Sequence, residues 1–296
     1  MASIRTSAAL PGPGAAAADP QREFAFSNGD FEFLAKLAYE RAGISLSNSK
    51  RNLVYGRLSR RLRALGLTSF REYREHLEGD DRSEIERFIN SISTNHTKFF
   101  REDHHFVHFR ASAAETFAQQ DKKKITRRLR IWSAGCSTGE EPYTIALVLR
   151  REMADMTRHD VRILATDIDT DVLAKASRGE YAADALDSIP DPFCRYFQPT
   201  PESDGATIKV AHDVRSLITF RRLNLMEAWP VKGPFDAIFC RNVMIYFDAS
   251  TKAKLIDRFV RLIKPGGWLY IGHSESLLGS HPGLHLMGRT IYRRDA

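Results

Sequence analysis

The first chemical signal in this chain is a loop of small residues paired with an acid. From Ser133 to Gly139 the sequence reads Ser-Ala-Gly-Cys-Ser-Thr-Gly, where a backbone must turn sharply and stay uncovered; such a turn is built to hold something. Asp167, 32 residues beyond Gly135, ends the β-rich run Val161-Arg162-Ile163-Leu164-Ala165-Thr166. In nucleotide-binding α/β folds this is where a carboxylate accepts hydrogen bonds from ribose hydroxyls. Two such features in register point to a ribose-bearing cofactor. A third set, Arg241-Asn242-Val243-Met244-Ile245-Tyr246-Phe247, follows the buried-type strand Phe235 to Cys240 and is delivered to its carboxyl end, where ligands of such sheets bind.

Other chemistries find less support. The three cysteines, Cys136, Cys194 and Cys240, are odd in number and lack metal-type spacing, which suggests a reducing compartment with neither a disulfide framework nor a zinc site. His104, His105 and His108 have no partner cysteine or paired acid, so no metal is read there.

These residues need elements to position them. Ile131 and Trp132 end a strand, Pro142 suits the first turn of a helix, and Glu140 and Glu141 sit beside that helix's positive end. Ile145, Ala146, Val148 and Leu149 form the face that packs back on the sheet. After Asp167, the stretch Ile168-Asp169-Thr170-Asp171 caps a helix from Val172 to Arg178 that Gly179 terminates. Residues 183–219 break the rhythm with Pro190, Pro192, Pro199 and Pro201, and Ile208-Lys209-Val210 with Ile218-Thr219-Phe220 read as short strands of a small antiparallel β insertion. Ser250 to Ile263 is a helix, Lys264 to Gly267 a turn, Trp268 to Ile271 a strand and Thr290 to Arg293 a closing edge strand.

Ahead of this α/β part lies a different pattern. Residues 1–22, rich in Ala, Pro and Gly, read as a disordered tail; Pro11 and Pro13 interrupt any signal-peptide core, and no stretch approaches eighteen apolar residues, so a cytoplasmic chain without membrane insertion is expected. Residues 23–97 read as a helical domain, with helices at Asp30–Arg41 (closed by Gly43) and Ser49–Leu65, one after a Ser69/Glu72 capping box, and one carrying Ile85, Phe88, Ile89 and Ile92. Residues 98–129 are a linking helix, with Phe106, Val107 and Phe109 inward, and a basic connector holding Lys122, Lys123 and Lys124. Residues 130–296 form the α/β domain.

The formal charge of +7 invites a nucleic-acid reading, but distribution matters more than sum. Residues 23–97 hold 12 Lys or Arg against 11 Asp or Glu, yet no acid lies between Ile44 and Arg71. At 100° per residue, Val54, Leu58, Leu62 and Leu65 share one face of the second helix; Arg57, Arg60 and Arg61 share a neighbouring one, flanked by Arg63, as a platform for an acidic partner.

Five stretches in sequence order, NHTKFFRE, SAGCSTGEEPY, ATDID, FDAIFCRNVMIYFD and GGWLYIGHSESL, together with the helical region and its RLSRRLRALGL helix, resemble the CheR-type chemotaxis receptor methyltransferases. The KPGG turn into a strand is similar to class I S-adenosylmethionine-dependent methyltransferases more widely. The resemblance implies a Rossmann-like class I methyltransferase domain with a small antiparallel β insertion, preceded by a small all-α domain. It implies methyl transfer from S-adenosyl-L-methionine to glutamate side chains on a chemoreceptor's cytoplasmic helical bundle, giving methyl esters and S-adenosylhomocysteine. Such a carboxylate is already ionised near neutral pH and needs no general base. By the same resemblance, Asn95, Thr97 and Arg101 contact the cofactor from the interdomain segment, Gly135 lies in its loop, Glu141 sits near its methionine part and Asp167 accepts from its ribose. Asn224 and Leu225 lie near its adenine, and Arg241 and Asn242 close the wall. Arg101 and Tyr246 are the expected catalytic pair. Arg57, Arg60, Arg61 and Arg63 would dock on an acidic receptor helix, and some relatives use the β insertion to bind a peptide tether at the receptor's C-terminus. The loop departs from the GxGxG form of many methyltransferases. Two rivals differ: a nucleic-acid methyltransferase would show Pro-Pro-Tyr or Pro-Pro-Phe where this chain has Arg241-Asn242-Val243-Met244, and a non-catalytic S-adenosylmethionine-sensing docking module would have no need of Arg101 and Tyr246.

Overall fold

The computed structural model describes residues 22–79, 81–119, 126–152, 159–200, 205–275, 277 and 281–295. The tail to residue 21 and Lys122 to Lys124 of the basic connector lie outside the described residues.

Four helices come first: α1 (Asn28–Ala42), α2 (Arg51–Leu65), α3 (Phe70–Glu78) and α4 (Arg82–Ile92). Ser27 and Asp30 form a reciprocal capping box on α1, and Gly43 ends it in the left-handed region. At α3 the box is only half made: Ser69 accepts from the Glu72 N–H, but the Glu72 carboxylate turns to the Thr68 N–H and hydroxyl. Phe31, Leu34, Leu58, Leu62, Phe70, Tyr73, Phe88 and Ile92 fill one core between these helices.

Helix α5 (His104–Gln119) leads into an alternating series: β1 (Arg128–Ala134), α6 (Glu140–Glu152), β2 (Asp160–Asp167) and α7 (Thr170–Arg178). Phe106, Phe109, Ala113 and Phe117 of α5 face inward, whereas Val107, expected among them, is 63% exposed because one residue's rotation turns it off that stripe. There follow β3 (Glu180–Ala182), α8 (Asp191–Cys194), β4 (Phe197–Pro199), β5 (Thr207–Val210) and α9 (His212–Arg215). The chain then continues through β6 (Ile218–Arg222), β7 (Phe235–Cys240), α10 (Ala249–Leu262), β8 (Ile263–Ile271), β9 (Leu284–Gly288) and β10 (Ile291–Arg294).

Seven strands form the main sheet in the order β6-β2-β1-β7-β8-β10-β9, with β6 through β8 parallel and β10 antiparallel to both neighbours. Alternate residues feed opposite faces: Ile131, Phe239 and Tyr270 join α5 and α6, while Trp132, Ile238 and Leu269 join α10. A separate antiparallel sheet, β3-β5-β4, forms the insertion. Two expectations are corrected. Ile218-Thr219-Phe220 belongs to β6, pairing parallel with β2 at the main sheet's edge and not with the insertion. Residues Ile291–Arg294 are not an edge strand, because their antiparallel pairing with β9 sandwiches them between β8 and β9. The turn Lys264–Gly267 appears as an excursion within β8, where Phe235 faces Ile263 but Ala237 faces Trp268.

Candidate active site

At the carboxyl ends of β1, β2 and β7, a cleft of about 1020 Å³, partly open to solvent, lies between the main sheet and the segment that joins α4 to α5. Every pocket residue expected from the sequence lines it: Asn95, Thr97, Arg101, Gly135, Glu141, Asp167, Asn224, Leu225, Arg241, Asn242 and Tyr246.

The loop after β1 is anchored by Gly135 and Cys136, whose N–H groups both donate to the Thr166 carbonyl at 2.8 and 2.9 Å. Gly135 has φ +84°, and a Cβ there would sit 2.2 Å from Cγ2 of Val243, so only glycine lets the loops after β1 and β7 meet. Ser137 follows at φ +49°, donating its backbone N–H to Asp167 (2.8 Å) and its hydroxyl to the Asn95 carbonyl (2.9 Å). Burial pushes the Cys136 thiol well up, so it is a packing residue and no nucleophile.

Asp167 accepts from the N–H groups of Ser137 and Asp169 (3.1 Å). Burial outweighs these donors and raises its pKa to about 6. A carboxylate has about four lone-pair sites, so capacity for further donors remains. Asp169 in turn caps α7 and accepts from the side-chain amide of Asn95 at 2.6 Å, which ties the interdomain segment to the tip of β2.

Arg241 organises the opposite wall. Its Nη1 donates to Glu141 (3.1 Å), its Nη2 donates to the Arg101 carbonyl and lies 3.3 Å from Glu102, and its guanidinium covers the Phe106 ring. Glu141, also held by the Ser133 hydroxyl at 2.7 Å, is pushed up by burial against the pull of Arg241. Glu102 shows the reverse balance: burial acts to raise it, but the His273 contact and Arg241 prevail and hold it at about 2.

Tyr246 stands on a short 3-10 turn, Met244–Tyr246, and donates its hydroxyl to the Thr94 carbonyl at 3.2 Å. Burial raises its pKa, so the phenol stays protonated. Arg101 donates to the His96 carbonyl (2.9 Å) while bordering the cleft. Asn224 reaches across to the helical domain, its amide donating to the Arg41 carbonyl at 2.7 Å. Glu102 and Glu275 carry no expected role in the sequence, because partners far along the chain give them one: Arg241 and His273 for Glu102, Asn242 and Ile245 for Glu275.

The four arginines of α2 do not form the open row expected. Arg61 makes a forked contact with the buried Glu84, which also accepts from the Tyr73 hydroxyl at 2.9 Å. Arg63 pairs with Glu23 at 2.7 Å. Arg57 donates to the carbonyls of Ile92 and Ser93 and to the Thr94 hydroxyl, bracing the cleft's outer wall. Only Arg60 is both exposed and without a partner among the described residues. Residues far along the chain supply these partners, so the local run of bases gave no sign of them.

Residues 29–93 match the family described as CheR methyltransferase, all-alpha domain, and residues 95–292 match CheR methyltransferase, SAM binding domain. The chain is 43% identical over 275 residues to chemotaxis protein methyltransferase 2 of Pseudomonas aeruginosa, covering 92% of this chain and 95% of that protein. It is 42% identical over 271 residues to the chemotaxis protein methyltransferase of Escherichia coli, covering 90% and 91%. It is 44% identical over 262 residues to a probable chemotaxis protein methyltransferase of Rhizobium etli, covering 87% and 96%. With two adjoining matches over nearly all of both its parts and relatives of similar length, the chain belongs to the CheR methyltransferase family, and the cofactor of its α/β domain is S-adenosylmethionine.

Proposed function

We propose that this protein methylates glutamate side chains on the cytoplasmic helical bundle of chemoreceptors, as a protein-glutamate O-methyltransferase. The observation that carries this reading is that Arg101 and Tyr246 line the same cleft as Asp167 and the Arg241–Glu141 pair. When bound, S-adenosylmethionine supplies an electrophilic methyl group.

The residues fit that cofactor. Asp167 has acceptor capacity for ribose hydroxyls, Leu225 is an apolar wall beside Asn224 for a purine, and Glu141 and Arg241 flank the amino-acid end. Arg101 holds the incoming glutamate carboxylate through its remaining guanidinium donors, and the protonated Tyr246 phenol orients one carboxylate oxygen. The substrate needs no deprotonation, because glutamate is ionised at neutral pH. On α2, Arg60 is the base free to meet an acidic receptor helix, and a receptor tether peptide on the β3-β5-β4 sheet belongs to the same proposal.

The test is incubation with methyl-labelled S-adenosylmethionine and receptor-bearing membranes, followed by mild alkali. Release of the label as volatile methanol is expected from a carboxyl ester. A base-stable label overturns the assignment.

A further inference from the structure

Glu275 is 5% exposed, yet no cation among the described residues pairs with it. Its Oε2 accepts from the backbone N–H groups of Asn242 (2.8 Å) and Gly272 (2.7 Å), and its Oε1 accepts from the N–H of Ile245 at 3.1 Å. Two of these three donors belong to the loop after β7, which carries both Arg241 and Tyr246. The third holds the carboxylate to the end of β8. Gly272 is needed for this approach, since a Cβ there would lie 2.8 Å from the Asn242 backbone nitrogen and 2.8 Å from Glu275 itself. The loop it grips turns through the left-handed region at Asn242, with φ +59°.

The nearby acids differ. Glu102 and Glu141 share Arg241, so their charges are spent on a side chain. Glu275 spends its charge on backbone donors alone, the arrangement that fixes a loop's course.

We infer that Glu275 is a positioning residue: by gathering the Asn242 and Ile245 N–H groups against the end of β8, its carboxylate sets the loop that presents Tyr246 to the substrate. The inference rests on the reading of Tyr246 as a group that meets the substrate. Replacement by glutamine keeps the shape but turns an N–H₂ group toward N–H donors, so at least one bond is lost.

Two measurements on the full chain test this. In Glu275→Gln, amide hydrogen exchange is expected to quicken about tenfold or more at whichever of Asn242 and Ile245 then faces the N–H₂ group, with the amides of β1 unchanged. Turnover on receptor-bearing membranes is expected to fall about tenfold in Glu275→Gln but by less than about threefold when Tyr246→Phe is already present, the non-additivity of groups acting as one unit. Unchanged exchange at both amides, or an equal fall in turnover with and without the Tyr246 hydroxyl, overturns the role. If Tyr246→Phe alone turns over like the parent, the reading of Tyr246 fails and the exchange result by itself decides for Glu275. Should the glutamine variant not fold, Glu275→Asp keeps the charge on an arm one methylene shorter; faster exchange at Ile245 is then the expected result, and unaltered exchange the contrary one.

Discussion

Burial raises the Asp167 pKa from the ordinary 3.8 to about 6. Between those values the folded chain binds a proton that the unfolded chain has released, so this residue's contribution to stability falls as pH rises from about 4 to about 6. Ligand hydroxyls that donate to the carboxylate favour its ionised form. Affinity for S-adenosylhomocysteine is therefore expected to drop about tenfold from pH 7 to pH 5, as protonation passes through that pKa. Titration calorimetry across that range checks it; equal affinity at both ends would remove Asp167 as an acceptor. For Tyr246→Phe we expect turnover to fall about tenfold or more, the scale of one lost orienting hydrogen bond, with S-adenosylhomocysteine affinity unchanged. At this scale the motifs were informative: residues spread from Asn95 to Tyr246 were expected to share a pocket and do line one cleft. Glu275 sits inside one of those motifs but binds only backbone N–H groups, which leave no mark in side-chain identity.

Helix α2 shows how an element can be legible in geometry and opaque in role. Its apolar positions, Val54, Leu58 and Leu62, are buried as their spacing requires. The run of arginines beside them suggests one docking row, yet Arg61 answers the buried Glu84, 23 residues away. Removing one partner of a buried ion pair strands the other charge, so Arg61→Ala is expected to lower stability by about 3 kcal/mol. Arg60→Ala should leave the melting temperature within about a degree, as exposed substitutions usually do, while raising the KM for receptor. Thermal denaturation separates the two; equal losses would contradict the assignment. The short strands β3, β4 and β9 escaped the sequence; the main helices followed from apolar periodicity and from stops such as Gly43 and Gly179. The positions of β6 and β10 did not, because neighbours in a sheet are chosen by tertiary pairing and not by a strand's own residues.

The whole molecule closes its cleft with both parts of the chain. Ala42, Ile44 and the segment from Ile92 to Lys98 line it from one side and the strand ends from the other. Ser45 donates to the Tyr246 carbonyl at 2.9 Å, Tyr39 donates to Asp248 at 2.6 Å, and Asn90 donates to Thr170 at 2.9 Å. A fragment of residues 95–296 is accordingly expected to bind S-adenosylhomocysteine at least about tenfold more weakly than the full chain, since it loses one wall and its hydrogen-bonded support. Undiminished affinity in calorimetry would show that the wall is dispensable. Asn224 sharpens the point, because the residue beside Leu225 in the cleft is also the one whose amide grips the last turn of α1. Any coupling this contact carries between occupancy of the cleft and the seating of the helical domain is reciprocal: whatever factor a partner docked on that domain applies to donor affinity, the donor must return to the partner.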